Sequence, residues 1–133
     1  MIRGTVRSLA FALLAMHTGG VAADAHTQYL LHCGGCHGLE GRGAPPVVPT
    51  LRDEPGRIMQ VPGGRDYLIR VPGVAQSGLS NSDLADVVNY VLTEFNATTT
   101  GNAAPFTEQE IARYRAELLE NPQLRRAEIW RPY

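Results

Sequence analysis

The chain has 133 residues, 44% of them hydrophobic and 19% charged, which is enough for one compact domain and excludes a large multidomain enzyme. Its 12 basic residues are all arginine and stand against 13 acidic residues, leaving a formal net charge of −1, so we expect no polybasic surface and no nucleic-acid partner. The two cysteines lie only three positions apart, which excludes a disulfide-dense miniprotein.

The first 25 residues have the pattern of a secretory signal peptide. Arg3 and Arg7 precede an unbroken apolar run at 9–16, and small residues follow, which predicts cleavage after Ala23 or Ala25. An uncleaved membrane anchor is the alternative, but this run is far shorter than the roughly 20 residues needed to cross a bilayer. We therefore expect an exported, periplasmic protein with no membrane span in the mature chain.

Three helices are predicted between residues 26 and 95, where nothing alternates convincingly as a strand. The first covers residues 26–32 and ends before a Gly-Gly pair, and a second, brief one covers residues 65–70. The most regular covers residues 81–95 and begins at Ser80, whose hydroxyl can cap free N–H groups. Its apolar residues fall on one face: Leu84, Val87, Val88, Val91, Leu92 and Phe95. The predicted fold class is all-α.

Residues 96–105 are small and polar and are predicted to be a linker, and residues 106–133 are predicted to be a helical extension. Thr107 and Glu110 have the spacing of a capping box, which predicts a helix to about residue 120, with a last short helix near the end. The extension either packs on the preceding helices or docks a partner through its aromatic residues. We favour packing, because terminal helices ordinarily dock where they bury apolar area.

The chemistry is concentrated in the pentapeptide Cys33-Gly34-Gly35-Cys36-His37. On a helical turn, thiols at i and i+3 face the same side, where they can add across the vinyl groups of a haem, and His37 can then supply the proximal nitrogen to iron. A zinc site would need further ligands at matching spacing. A thioredoxin-like redox pair would need a βαβ context, and a disulfide across so short a loop would stabilise little. The motif therefore predicts one covalently attached haem c.

Residues 26–95 resemble the small class I cytochromes c, which implies three to four helices around one covalently bound haem. In that family, aromatic side chains fill the crossing of the first and last helices, and Tyr29 and Tyr90 match those positions. The segment from Pro49 to Leu51 resembles the family's Pro-x-Leu segment. The resemblance implies that the Pro49 carbonyl accepts the second ring N–H of His37, which fixes the tautomer and raises the basicity of the ligand.

This chain departs from the family pattern at the sixth iron ligand. The family usually supplies a methionine after the third helix, whereas Pro72-Gly73-Val74-Ala75-Gln76 places Gln76 there. Met59 is the only methionine beyond the predicted signal peptide. Three alternatives stay open: Met59 as the distal ligand, an open or water-bound site lined by Gln76, and a histidine or another arrangement.

The resemblance implies a carrier of single electrons rather than an enzyme, with an exported dehydrogenase as donor and an oxidase or another cytochrome as acceptor. No Arg-His or carboxylate constellation for peroxide cleavage is visible near the expected distal segment. A haem with an open iron would instead serve as a ligand sensor or a peroxide enzyme, so a catalytic haem stays an alternative. A third alternative is a permanent subunit of a larger redox complex, held there by residues 106–133.

Overall fold

The computed structural model describes residues 23–130, so residues 1–22 of the predicted signal peptide lie outside the described part. In that part the chain is helical, with one isolated β-bridge between Ala44 and Val48. The prediction of an all-α fold is confirmed. The described helices are Ala25–His32 (α1), Gly34–His37 (α2), Glu54–Ile58 (α3), Gly64–Arg70 (α4), Pro72–Ala75 (α5), Asn81–Asn96 (α6), Glu108–Arg115 (α7) and Pro122–Ile129 (α8).

The three helices predicted before residue 96 are present, as α1, α4 and α6, with nearly the expected ends. The Asp24 carboxylate caps α1 by accepting the Thr27 backbone N–H at 3.0 Å. The predicted Ser80 cap of α6 is confirmed, since its hydroxyl oxygen accepts the Asp83 N–H at 3.0 Å. Both caps satisfy N–H groups that have no partner inside the helix.

Two short helices, α3 and α5, lie outside the predicted elements, whereas α2 is the helical turn predicted at 33–37. Both α3 and α5 have a proline in their first turn, Pro55 and Pro72. Proline suits that position because its missing N–H would have no partner there and its fixed φ is already helical. Residues that indicated loops in the sequence therefore begin helical turns in the fold.

The helix that begins after Thr107 is shorter than predicted. The Thr107 hydroxyl oxygen accepts the Glu110 N–H at 3.2 Å, as a capping box requires, but α7 ends at Arg115 rather than near residue 120. Arg70 supplies the reason: its guanidinium donates to the Glu117 carbonyl at 2.7 Å, and its own carbonyl accepts the Leu119 N–H at 3.1 Å. Because these backbone groups bond to Arg70, the helix does not continue.

The core forms where α1 and α7 both pack on α6. Phe106 and Ile111, from the predicted extension, belong to the same buried cluster as Tyr29. Asn89 of α6 holds Phe106 from both sides, accepting its N–H at 2.8 Å and donating to its carbonyl at 2.9 Å. The structure therefore supports packing of α7, the favoured alternative, whereas the domain and linker boundaries stay predictions. The buried apolar cluster comprises Tyr29, Ile69, Leu79, Leu84, Ala85, Val87, Val91, Leu92, Phe95, Phe106 and Ile111.

The last described helix, α8, buries none of its residues. It is tied to α3 by an ion pair between Arg126 and Glu54. Tyr133, one of the aromatic residues near the end of the chain, lies outside the described residues. None of the helices described between residues 23 and 130 has the length and apolar character needed to cross a membrane.

Candidate functional site

The pentapeptide at 33–37 forms the helical turn that its spacing predicts. Cys33 ends α1, with its N–H donating to the Tyr29 carbonyl at 2.8 Å. The Cys33 carbonyl in turn accepts the N–H groups of Cys36 at 3.2 Å and His37 at 3.0 Å. On a helix, residues three apart are surface neighbours. The backbone therefore presents both cysteine side chains from one side of the turn.

Both cysteines are free thiols, so the disulfide alternative is not realised in the structure. Cys33 is half-buried and Cys36 is exposed. Burial raises the pKa of the Cys33 thiol, because removal from water disfavours the thiolate. The two sulfur atoms are therefore unequal, one set against the protein and the other open to solvent.

The imidazole of His37 is oriented by the Pro49 carbonyl, as the resemblance implies. Nδ1 lies 2.9 Å from the Pro49 oxygen. A carbonyl oxygen only accepts hydrogen bonds, so Nδ1 carries a proton, and in the neutral imidazole Nε2 then keeps its lone pair. This is the tautomer that a metal-binding histidine needs, with the second nitrogen held by a backbone acceptor.

Two glycines allow Pro49 to approach His37. Gly43 has φ of +63° and its N–H donates to the His37 carbonyl at 2.8 Å. A side chain there would meet the Pro49 carbonyl oxygen. Gly41 has φ of +69°, and a side chain on it would run into the ring of Phe95. Glycine adopts positive φ without steric cost, so the loop can lie against α6 and still turn back to His37.

Tyr29 and Tyr90 meet at the crossing of α1 and α6, with ring centres 5.7 Å apart. Tyr29 is fully buried, and its hydroxyl donates to the Gly38 carbonyl at 2.6 Å. Desolvation by burial raises the pKa of Tyr29, which keeps the hydroxyl a donor. The helix crossing is thus bonded directly to the residue that follows His37.

Phe95 has a role that the sequence analysis did not assign, since its position there was only one place in an apolar stripe. Its ring lies edge-on to Tyr29, with centres 5.4 Å apart, and to Tyr90, with centres 5.9 Å apart. Such arrangements are favoured between aromatic rings. Phe95 therefore completes an aromatic cluster with Tyr29 and Tyr90. In the sequence, its aromatic character five positions after Tyr90 was the only indication of this role.

The two residues considered for the distal side of the iron, Met59 and Gln76, lie in different surroundings. Met59 caps α3, is partly buried and lines a pocket of about 280 Å³. None of the residues lining that pocket belongs to the 33–37 turn: they are Met59, Asn89, Leu92, Thr93, Ala97, Thr100, Ala103, Ala104 and Pro105. Gln76 lies at the end of α5 and is exposed.

Arg115 of α7 holds the loop that carries Gln76. Its guanidinium donates to the Ala75 carbonyl at 2.8 Å, to the Leu79 carbonyl at 2.9 Å and to Asn81 Oδ1 at 3.0 Å. The sequence contains no signal for this contact, because it joins residues more than 30 positions apart. The predicted extension therefore helps to determine the position of the loop that carries Gln76.

The donor set fits the group that the motif predicts. Two free thiols at helical spacing are followed directly by an imidazole whose Nε2 keeps its lone pair. Within residues 23–130 there is no group of three or more His, Cys, Asp or Glu side chains that could hold a metal ion by themselves. The alternative of a zinc site thus has no support in that part of the chain.

Comparison with known proteins shows the family to which the chain belongs. A cytochrome c-552 from Thermus thermophilus is 31% identical over 87% of this chain and 90% of its own length. The chain belongs to the small c-type cytochromes. A second cytochrome c-552 from the same species is 30% identical, over 69% of this cytochrome and 85% of that protein. No family model matches the sequence.

Membership of the family makes haem c the cofactor to expect for this cytochrome. Its two cysteines, Cys33 and Cys36, are the only ones in the chain, and they precede His37 in the spacing typical of haem c attachment. The similarity to the Thermus proteins extends beyond the 33–37 turn, since it covers most of both chains.

Proposed function

We propose that this cytochrome carries single electrons through one haem c, attached to Cys33 and Cys36 by thioether bonds. His37 Nε2 is the proximal ligand to iron. The observation that carries the proposal is the His37–Pro49 hydrogen bond of 2.9 Å, which leaves Nε2 free beside two free thiols. Bound there, the haem supplies an iron that alternates between ferric and ferrous states.

The protein's own contribution is to hold the ligand in one orientation. The Pro49 carbonyl prevents rotation of the imidazole ring and raises the basicity of its second nitrogen. The hydrogen bond from the Tyr29 hydroxyl to the Gly38 carbonyl fixes the backbone directly after His37. An electron carrier needs little movement around its metal between oxidation states. A histidine that is restrained at its ring and at the next residue of the backbone meets that need.

The candidate partners are proteins that exchange single electrons outside the cytoplasm. We propose an exported dehydrogenase as the donor and an oxidase or another cytochrome as the acceptor, in the periplasm. The motif supports this location, because haem c is attached to exported chains and the predicted signal peptide would direct export. The use of α7 within the protein's own core favours a separate carrier over a permanent subunit held by residues 106–133.

The experiment is expression of the full chain in a bacterium that exports and matures c-type cytochromes. The purified protein is expected to retain its haem in acidified acetone, and to titrate reversibly as a one-electron couple. Replacing both Cys33 and Cys36 by alanine is expected to release the haem, whereas His37→Gln keeps it attached and changes the spectrum. His32→Gln is the matched control, since His32 is exposed. A colourless exported protein would overturn the proposal.

A further inference from the structure

The chain offers few strong ligands for a sixth iron position. Cytochromes c fill that position with methionine or histidine, and this chain has no lysine to supply an amine. Beyond residue 22 the candidates are Met59, His26 and His32, once His37 is assigned to the proximal side. The question is whether the fold allows any of them to reach the iron.

Met59 contacts a different face of α6 from the one that packs on Tyr29, in the helix that leads into the attachment turn. Tyr29, from the helix that leads into the turn, packs on Tyr90 and Phe95, whereas the pocket lined by Met59 includes Asn89 and Leu92 together with Thr93. Successive residues of a helix are rotated by about 100°. By this rotation Asn89 lies about 100° from Tyr90 and about 120° from Phe95, so Met59 and Tyr29 contact different faces of α6.

Residues on both sides of Met59 are bonded to the end of α6 or to the residues that follow it. The Gly56 N–H donates to Asn96 Oδ1 at 2.9 Å, and this contact is buried. A side chain at Gly56 would clash with Thr99. On the other side, Gln60 Nε2 donates to the Thr100 carbonyl at 2.6 Å. To bring Met59 to the face that contacts Tyr29, both attachments would have to break.

The two remaining histidines both lie on α1, ahead of the attachment turn. The ring of His26 lies 5.5 Å from the ring of Tyr90, at the crossing of α1 and α6. His32 is exposed and directly precedes Cys33 on the helix. Other side chains, such as the amide of Gln76, offer oxygen donors, which bind soft ferrous iron weakly.

We propose that the haem iron of this cytochrome has an exchangeable sixth position, open to small neutral ligands such as carbon monoxide. Met59 is a packing residue between α3 and α6. The proposal rests on the proposed function, in which haem is attached at Cys33 and Cys36 and ligated by His37. It adds the binding of small molecules at the iron to the transfer of electrons. Electrons still reach the haem through its edge, while the iron itself is accessible to a small molecule.

The test uses the full-length, matured holoprotein. Carbon monoxide is added to the dithionite-reduced protein and imidazole to the ferric protein, and binding is followed by visible absorption. We expect carbon monoxide to bind without any denaturant. We also expect Met59→Leu, which keeps an apolar side chain of similar volume, to change its affinity less than twofold. Absence of binding by the wild-type protein would overturn the proposal, as would binding that only the variant shows.

A second measurement does not depend on the variant. Met59 is the only methionine that remains after the predicted cleavage, so a methyl-¹³C-methionine label reports on this residue alone. Its NMR signal is recorded in the diamagnetic ferrous–carbon monoxide complex and in the ferrous protein without carbon monoxide. We expect the carbon monoxide complex to show that signal at an ordinary methionine position. A methyl signal strongly shifted upfield by the haem ring in the ligand-free ferrous protein would show ligation by Met59 and overturn the proposal. Either negative result leaves the haem covalently attached, whereas failure of the proposed function would leave no haem to study.

Discussion

Arg65 and Glu110 form a two-point ion pair that joins α4 to α7. The Arg65 Nη2 donates to Glu110 Oε2 at 2.7 Å, and a second bond connects Nε to the other carboxylate oxygen. The same guanidinium lies over the ring of Phe106, 3.9 Å from its centre. One arginine thus binds both the first turn of α7 and the aromatic residue that precedes it, which anchors the carboxyl-terminal segment to α4.

This ion pair predicts a dependence of stability on pH. The hydrogen bonds from Arg65 lower the pKa of Glu110 below its ordinary value of 4.5 in the folded protein. The stability that Glu110 contributes is therefore fully present above that ordinary value, and it is lost as pH falls through the lowered value of the folded state. Glu110→Gln is expected to lower the free energy of unfolding by about 1 kcal/mol at pH 7. The free energy of unfolding of this variant is also expected to fall less steeply as pH is lowered.

Urea unfolding at a series of pH values, followed by circular dichroism, measures the effect. Glu128→Gln is the control, because Glu128 pairs with Arg125 at 3.2 Å near the surface, with its side chain 54% exposed. That substitution is expected to change stability by less than about 0.5 kcal/mol. An equal effect of the two substitutions would contradict the role given to the Arg65–Glu110 pair.

The hydroxyl of Tyr29 predicts a difference between two tyrosines that share one helix crossing. Tyr29→Phe removes the 2.6 Å bond to the Gly38 carbonyl and is expected to destabilise the protein by about 1–2 kcal/mol. Tyr90→Phe is the matched control, because no hydrogen bond from its hydroxyl is found within residues 23–130. Thermal unfolding of the two variant holoproteins measures their stability relative to the wild type. An equal loss of stability in both would show that packing rather than the hydroxyl matters at Tyr29.

Gly64 is expected to tolerate no side chain. A Cβ there would overlap the Ile58 carbonyl, where α3 meets α4. Gly64→Ala should therefore destabilise the protein by about 3 kcal/mol, because a backbone clash cannot be relieved by a change of rotamer. Gly73→Ala is the control, since a Cβ at Gly73 meets nothing within 4 Å, and it should change stability by less than about 1 kcal/mol. Urea unfolding of the two variants decides, and similar midpoints would contradict the prediction.

Arg115 predicts a link between the carboxyl-terminal helix and the loop that carries Gln76. Arg115→Ala leaves the carbonyls of Ala75 and Leu79 without this donor and is expected to cost about 2 kcal/mol of stability. Arg115→Lys should restore only part of it, because an ammonium group cannot reproduce the planar fork of a guanidinium.

Hydrogen exchange of residues 75–81 measures the local effect of Arg115. Faster exchange confined to that loop is expected in Arg115→Ala. Arg113→Ala, which changes an exposed arginine of the same helix, is expected to leave the exchange unchanged. Loss of protection spread evenly over the protein would contradict a specific link between Arg115 and the loop.

Local patterns were sufficient for the parts of the fold that depend on neighbours in sequence. The stripe from Leu84 to Phe95 and the Ser80 cap predict α6 because helix periodicity and capping act within a few residues. The short helix α3 was missed because its Pro and Gly content is typical of a loop. Its formation depends on Asn96, forty positions away, which accepts the Gly56 N–H.

The sequence by itself determined the prediction of a haem c attachment turn: two thiols one helical turn apart with an imidazole next to them, a relationship set by adjacent residues. Only the tertiary structure decided the place of Met59. Its position in the chain left the thioether available to the iron, but packing of α3 against α6 places it on a different face of α6 from Tyr29. Contacts of this kind join distant residues through burial and backbone hydrogen bonds, so no local pattern records them.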